Sequence, residues 1–210
     1  MDPSHFVQPE ASRIAVETRH AAQIERLRHK LDRLLDICQR YPSFAKEHRI
    51  AAPNAPLAEA EIERFESERG VQLPEDYREF VAGIAHGGPG PYQGILRLES
   101  WAEAAPWPCG DAPQDYLAGP CLLRPDMPRD EHWYEALGCS HQRRFQGTMA
   151  VCRQGGTRYG LLIVTGPCRG RIVLADLAQG PPRFAPQVKF LDWYEDWLDE
   201  TLETAEFEIG

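Results

Sequence analysis

Residues 57–94, LAEAEIERFESERGVQLPEDYREFVAGIAHGGPGPYQG, leave the backbone few choices. Glycine and proline divide the stretch into helix, break, helix and turn. Leu57, Ile62 and Phe65 lie on one side of a first helix. Gly70 follows, where a left-handed residue ends a helix with no Cβ penalty. Val71 is then placed to pack back on the helix it leaves. Pro74 fits the first turn of a second helix, because its missing N–H would have no partner there. Glu75 and Asp76 face the positive end of that helix's dipole. Tyr77, Phe80, Val81 and Ile84 recur at i, i+3, i+4 and i+7, one apolar stripe. Gly87, Gly88, Gly90 and Gly94, with Pro89 and Pro91, forbid further helix.

Upstream, Ile24, Leu27, Leu31, Leu34, Leu35, Cys38 and Tyr41 keep a helical rhythm between charged residues, so a long helix is expected from about Ile14 to Tyr41. Arg28 and Asp32 are spaced to pair across one turn. The stripe can pack on its own domain, on a second copy or on a partner, and the first is the plainest. Tyr41-Pro42 ends the helix. The stiff AAPNAP segment at 51–56 marks the expected boundary between an N-terminal helical appendage, 1–50, and the main domain, 51–210.

Downstream, Gly94–Leu98 alternates like a short strand. Residues 102–130 carry prolines at 106, 108, 113, 120, 125 and 128, which exclude a long regular element. Trp101, Trp107, Tyr116, Trp133 and Tyr134 are interleaved with them or follow closely. Such a loop either seals the edge of the core or presents aromatic anchors to a partner. Met149–Arg153, Tyr159–Thr165 and Arg171–Ala175 read as a meander with glycine-bearing turns. The LLIV run at 161–164 suits a central strand. In the last helix, 189–203, Phe190, Trp193, Tyr194, Trp197, Leu198 and Leu202 form an apolar stripe. Tyr77, Phe80, Trp193 and Trp197 are expected to be largely buried.

The net charge of −9 argues against a general nucleic-acid binder, which needs a basic footprint. No run approaches the roughly 18–20 apolar residues of a membrane span. The N-terminus lacks the basic and apolar regions of a secretory signal, so a cytoplasmic protein with free thiols at its six cysteines is expected. Neither C-x-x-C spacing nor any familiar nucleophile, metal or phosphate motif occurs. Cys139-Ser-His141 with His132 nearby is the only metal-like grouping, and its spacing is poor. No metal, cofactor or catalytic residue is expected. Charge is segregated: His141–Ala175 holds six arginines and no acid, while Asp192–Gly210 holds eight acids and no base. Like charges this close repel, so some of the arginines are expected to pair with the acidic helix within the fold.

Helix, G-V-x-L-P-x-D-Y-R-x-F and then G-G-x-G resembles the SUKH superfamily, named partly after the yeast Smi/Knr cell-wall synthesis regulators. Ile62, Phe65, Glu66, Gly70, Leu73, Pro74, Asp76, Tyr77, Phe80, Gly87 and Gly88 carry the resemblance. The chain departs from the family where its first helix starts, with Pro56-Leu57 in place of the usual Ser or Thr. V-T-G-P-x-R-G-R-I, followed by F-L-D-W-Y-E-D-W-L, is similar to the C-terminal half of bacterial members, extending the match to about 57–202. The resemblance implies an α+β fold, with a mixed or antiparallel sheet of about five or six strands and helices packed on one side. Gly70, Leu73, Pro74, Tyr77, Phe80, Gly87, Gly88, Trp193 and Trp197 are then positions that set the fold.

The resemblance also implies protein binding without catalysis. Many bacterial members look like immunity proteins that neutralise a toxin, often a nuclease. Fungal members look like regulators or scaffolds, which is the alternative reading, and an uncharacterised enzyme is a third. A composition rich in alanine and arginine points to a high-GC bacterial source and favours immunity. The expected partner is a protein, with a basic toxin domain in first place. For such a partner, the acidic candidates are Glu195, Asp196, Asp199, Glu200 and Glu203. Trp107, Tyr116 and Trp133 are the candidate apolar anchors.

Overall fold

A computed structural model describes residues 10–105, 115–128, 130 and 133–209. Among these residues, six α-helices and one four-stranded antiparallel sheet make an α+β fold. The helices are Glu10–Arg40 (α1), Pro42–Glu47 (α2), Glu59–Arg69 (α3), Glu75–Gly83 (α4), Asp115–Ala118 (α5) and Phe190–Ile209 (α6). The strands Thr148–Gly155 (β1), Arg158–Ile163 (β2), Ile172–Asp176 (β3) and Arg183–Phe184 (β4) pair in chain order as the expected meander.

The strand count is lower than the five or six expected, and the segment after the glycine-rich turn shows why. Gln93 and Leu96 donate to the Arg153 and Val151 carbonyls at 3.1 and 2.8 Å, and Ile95 bridges Gly88 and Cys152. Left-handed Tyr92 and Gly94 bend the chain before it, and a 3-10 turn at Leu98–Ser100 ends the pairing after it. What remains is too short for a full fifth strand.

Successive residues of LLIV point to opposite faces of the sheet. Leu162 and Val164 join Met149, Val151 and Ile172 in the core under the helices. Leu161 and Ile163 join Ala150, Val173 and Ala175 in a second cluster on the other face. Cys121, Leu123, Met127, Trp133 and Phe145 roof that second cluster. Cys121, Leu123 and Met127, with Trp133 and Phe145, therefore stand in for a second layer. They cover a sheet face that would otherwise meet water.

The helical layer is built around rings. Phe80 of α4 lies edge-on to Phe190 and Tyr194 of α6, with centroids 5.0 and 4.7 Å apart, and Tyr77 lies edge-on to Phe190 at 4.9 Å. Leu27, Leu31 and Leu34 of α1 enter the same core as Leu198, Leu202 and Ala205 of α6. α1 therefore packs on its own domain. Its polar contacts with α6 ascend together in both sequences, from Gln23–Asp192 to Arg33–Glu206, so the two helices run parallel.

Candidate functional site

The motif residues form joints between elements. Gly70 ends α3 in the left-handed conformation, with φ +63°, and Val71 N–H closes back on Glu66 O at 3.0 Å. Ala58, before α3, has no side-chain oxygen to cap the helix, so Glu61 reaches back to its N–H at 3.1 Å. The Glu66 carboxylate accepts Leu73 N–H at 2.7 Å, which fixes the Leu-Pro entry to α4. Arg169, from the second motif, donates to Leu73 O at 2.7 Å and Gln72 O at 3.1 Å. The two stretches that carry the resemblance thus meet in space. Asp76 is buried and accepts Leu191 N–H at 3.2 Å, at the start of α6. Gly88 lets the 51–56 connection approach, since a Cβ there would lie 2.6 Å from Pro53 Cα. Tyr77, Phe80 and Trp193 are buried as expected, as is Leu73, whereas Trp197 is only partly buried. It sits at the margin of the α6 stripe, against Tyr194 at 5.3 Å, and faces partly outward.

The acidic face of α6 is divided. Glu195 receives bonds from Gln23 at 2.9 Å, Arg26 at 3.2 Å and Lys30 at 2.9 Å, and its side chain is only 13% exposed. Asp199 receives Lys30 at 2.7 Å, and Glu206 pairs with Arg33. These groups hold α1 in place and are already engaged. Asp196, Glu200 and Glu203 are exposed. The arginines of the sheet region bond elsewhere: Arg153 pairs with Glu103 and Arg143 with Asp115, both away from α6.

The aromatic anchors are placed differently from expectation. Tyr116 and Trp133 are each 2% exposed, Tyr116 in the main core beside Trp101 and Trp133 against Phe145 on the far face of the sheet. Covering apolar sheet and helix surface has drawn both rings inward, so neither projects. Trp107 lies outside the described residues.

Burial sets the state of several thiols. Burial pushes the Cys121 and Cys152 thiols up to about 12. A thiolate is the nucleophile, so such thiols are inert. The Cys139 thiol is also raised by burial, and its Sγ donates to Tyr134 O at 3.3 Å. His141 is lowered by burial and by Arg144, whose Nη1 lies 2.8 Å from its Nδ1. His86 Nε2 accepts Leu98 N–H at 2.9 Å and supports the 3-10 turn. Cys38, Cys121, Cys139, Cys152 and Cys168 are free thiols, and Cys109 and His132 lie outside the described residues.

His20, Glu75 and Glu79 bring donors of metal-binding type within 4.8 Å of one another. Buried His20, however, bridges Glu79 on Nδ1 at 3.2 Å and the Lys189 ammonium on Nε2 at 3.1 Å. The tautomer protonated on Nδ1 satisfies both contacts. The lysine already supplies a cation, and the group joins α1 and α4 to the residue before α6.

One concavity combines aromatics with carboxylates. Tyr92, Pro186, Trp193 and Trp197 wall a cavity of about 290 Å³, with Asp196 and Glu200 also lining it. Tyr92 is 48% exposed and has φ +61°. It was not singled out in the sequence, where its one signal is an aromatic ring among the turn-formers of GGPGPYQG.

A helix–Leu-Pro–helix unit, locked to a sheet turn and to the last helix, defines an α+β domain of the SUKH kind. The SMI1 / KNR4 family (SUKH-1) matches residues 56–201, and the chain belongs to that family. No curated protein matches the chain. The family match leaves α1 and α2 outside it.

Proposed function

We propose that the chain is a protein-binding domain that acts without catalysis, as an immunity protein that binds and neutralises a bacterial toxin in the cytoplasm. Family membership over residues 56–201 is the observation that carries this reading. The raised thiols of Cys121, Cys139 and Cys152 support binding over nucleophilic catalysis. Among the described residues, no helix is long and apolar enough to cross a membrane. A nuclease is the favoured toxin class. Such an enzyme must approach phosphate and tends to carry a basic cleft. Exposed Asp196, Glu200 and Glu203 would steer such a surface in and raise its on-rate. A regulatory or scaffolding module is the second reading; it would more naturally use the free face of α1, whose apolar stripe is packed in the core with α6.

The test is co-expression of the chain with candidate nuclease toxins of the class named above. Protection should accompany a stable complex, and Cys139→Ala and His141→Ala should protect as well as the wild type. A chain that binds none of these toxins and protects against none sinks the immunity reading. A folded variant that keeps the complex but loses protection points to catalysis instead.

A further inference from the structure

We infer that the concavity beneath Tyr92 receives an arginine or lysine side chain of a protein partner, held between the aromatic walls and the carboxylates of Asp196 and Glu200. The inference rests on the protein-binding reading and names the place and chemistry of one contact.

Three observations carry it. The first is Tyr92 itself. A bulky residue in the left-handed region is a genuine outlier, and such outliers cluster at functional sites. Glycine adopts φ +87° and +91° nearby, at Gly87 and Gly94, so the turn has an unstrained alternative in its own composition. The fold instead holds a half-exposed tyrosine there.

The second is aromatic surface that no cation among the described residues covers, on half-exposed Tyr92 and partly buried Trp197, with buried Trp193 also lining the cavity. Elsewhere the chain covers rings with its own guanidinium groups: Arg69 over Trp101 at 5.2 Å, Arg144 over Phe145 at 5.1 Å and Arg171 over Phe184 at 4.7 Å. Among the described residues, no such cation covers Tyr92, Trp193 or Trp197. Tryptophan and tyrosine faces attract cations through the ring quadrupole, and such rings are the common anchors of protein interfaces.

The third is charge. The bases of α1 are engaged by Glu195, Asp199 and Glu206. Asp196 accepts only the neutral Gln187 amide, at 2.6 Å, and Glu200 is exposed. Among the described residues, neither forms an ion pair. The Tyr92 hydroxyl is raised by burial first, then by Cys152 and Glu200, with Arg158 opposing, so Glu200 is felt at the ring. The missing component is a cation long enough to lie along the rings and reach the carboxylates. Arginine and lysine side chains have this shape.

The probe is a glycine–serine peptide carrying two arginines, titrated into the full chain up to on the order of 10 mM. Its control has citrulline in place of each arginine. The arginine peptide should shift the indole N–H resonances of Trp193 and Trp197, and the neutral peptide should leave them in place. Asp196→Asn combined with Glu200→Gln keeps the cavity shape and an acceptor for Gln187, and should weaken binding about tenfold. Tyr92→Ala, at an exposed position, should weaken it by a similar factor. Equal shifts with both peptides, unmoved indoles with the arginine peptide, or unchanged affinity in the folded variants would each overturn the assignment. If the chain neutralises a toxin while the indoles stay unmoved, the cavity assignment fails and the protein-binding reading stands. Saturable arginine-peptide binding in a chain that neutralises no toxin keeps the cavity and removes only the immunity role.

Discussion

Asp76 shows what a single side chain of the Leu-Pro motif does. It sits in the first turn of α4, yet its carboxylate accepts Leu191 N–H at 3.2 Å at the start of α6, with the Phe190 and Tyr77 amides also lowering its pKa. One buried side chain therefore ties the first turn of α4 to the start of α6. Its pKa is raised, by burial first, because the N–H bonds and Lys189 only partly offset lost hydration. The folded value lies above the unfolded one, so the associated stability is present below the unfolded range and is lost as pH rises through the folded value. Asp76→Asn keeps an acceptor and removes the buried charge, so it should stay within about 1 kcal/mol of the wild type at pH 7. Asp76→Ala leaves the buried Leu191 N–H without its partner and should cost about 1–3 kcal/mol. Urea melts at pH 7 and pH 4 check both, with the wild type gaining on the Asn variant towards low pH. Equal losses in the two variants would remove the capping role. The rings follow the same local logic. Phe80→Ala should cost about 3–5 kcal/mol as a fully buried ring, and partly buried Trp197→Ala should cost less. Thermal melts of the two variants rank them.

Between elements, the α1–α6 pair joins an apolar seam to a charged one. Burial alone would raise the Glu195 carboxyl, but bonds from Arg26, Lys30 and Gln23 outweigh it and hold the pKa below the usual 4.5. A depressed folded pKa contributes stability that is complete above the unfolded value and is lost as pH falls through the folded one. Glu195→Gln should therefore be less stable than the wild type at pH 7, with the gap closing below about pH 4. A constant gap in urea midpoints from pH 7 to pH 3 would show that charge is not what Glu195 contributes. The two helical stripes were legible from spacing alone, because burial imposes a period of 3.6 on the sequence. Their pairing was not legible, since Arg26 and Glu195 lie 169 residues apart and no local pattern links them. Residues 102–130 were legible as irregular chain that either seals the core or projects, but not as to which; the described Cys121, Leu123 and Met127 seal the second sheet face. Trp133 and Met127 obey no period that would show which way they point. The cavity stayed hidden for the same reason, since Pro91–Tyr92 and α6 converge only in the fold.

At the scale of the molecule, the family match begins at residue 56, but the core does not. Ile24, Leu27, Leu31, Leu34 and Phe44 are buried with the helices and sheet of the matched region. Full burial of each such side chain is worth about 1.5–3 kcal/mol, whereas a whole domain is stable by only about 5–15 kcal/mol. Removing residues 1–50 also strips the partners of Glu195 and Asp199, leaving their carboxylates beside an uncovered apolar seam. The truncated chain, 51–210, should lose its cooperative thermal transition and expose Leu198 and Leu202, measurable as dye binding. Leu27→Ala in the full chain is the milder form of the same test and should cost about 2–5 kcal/mol. A truncated chain that melts cooperatively at the wild-type temperature would show that α1 is dispensable to the core, and would free its apolar stripe for a partner. If the truncated chain unfolds as expected, α1 and α2 belong to the stable unit. The surface left for binding would then be the half of α6 that α1 does not cover, where Asp196, Trp197 and Glu200 meet Tyr92.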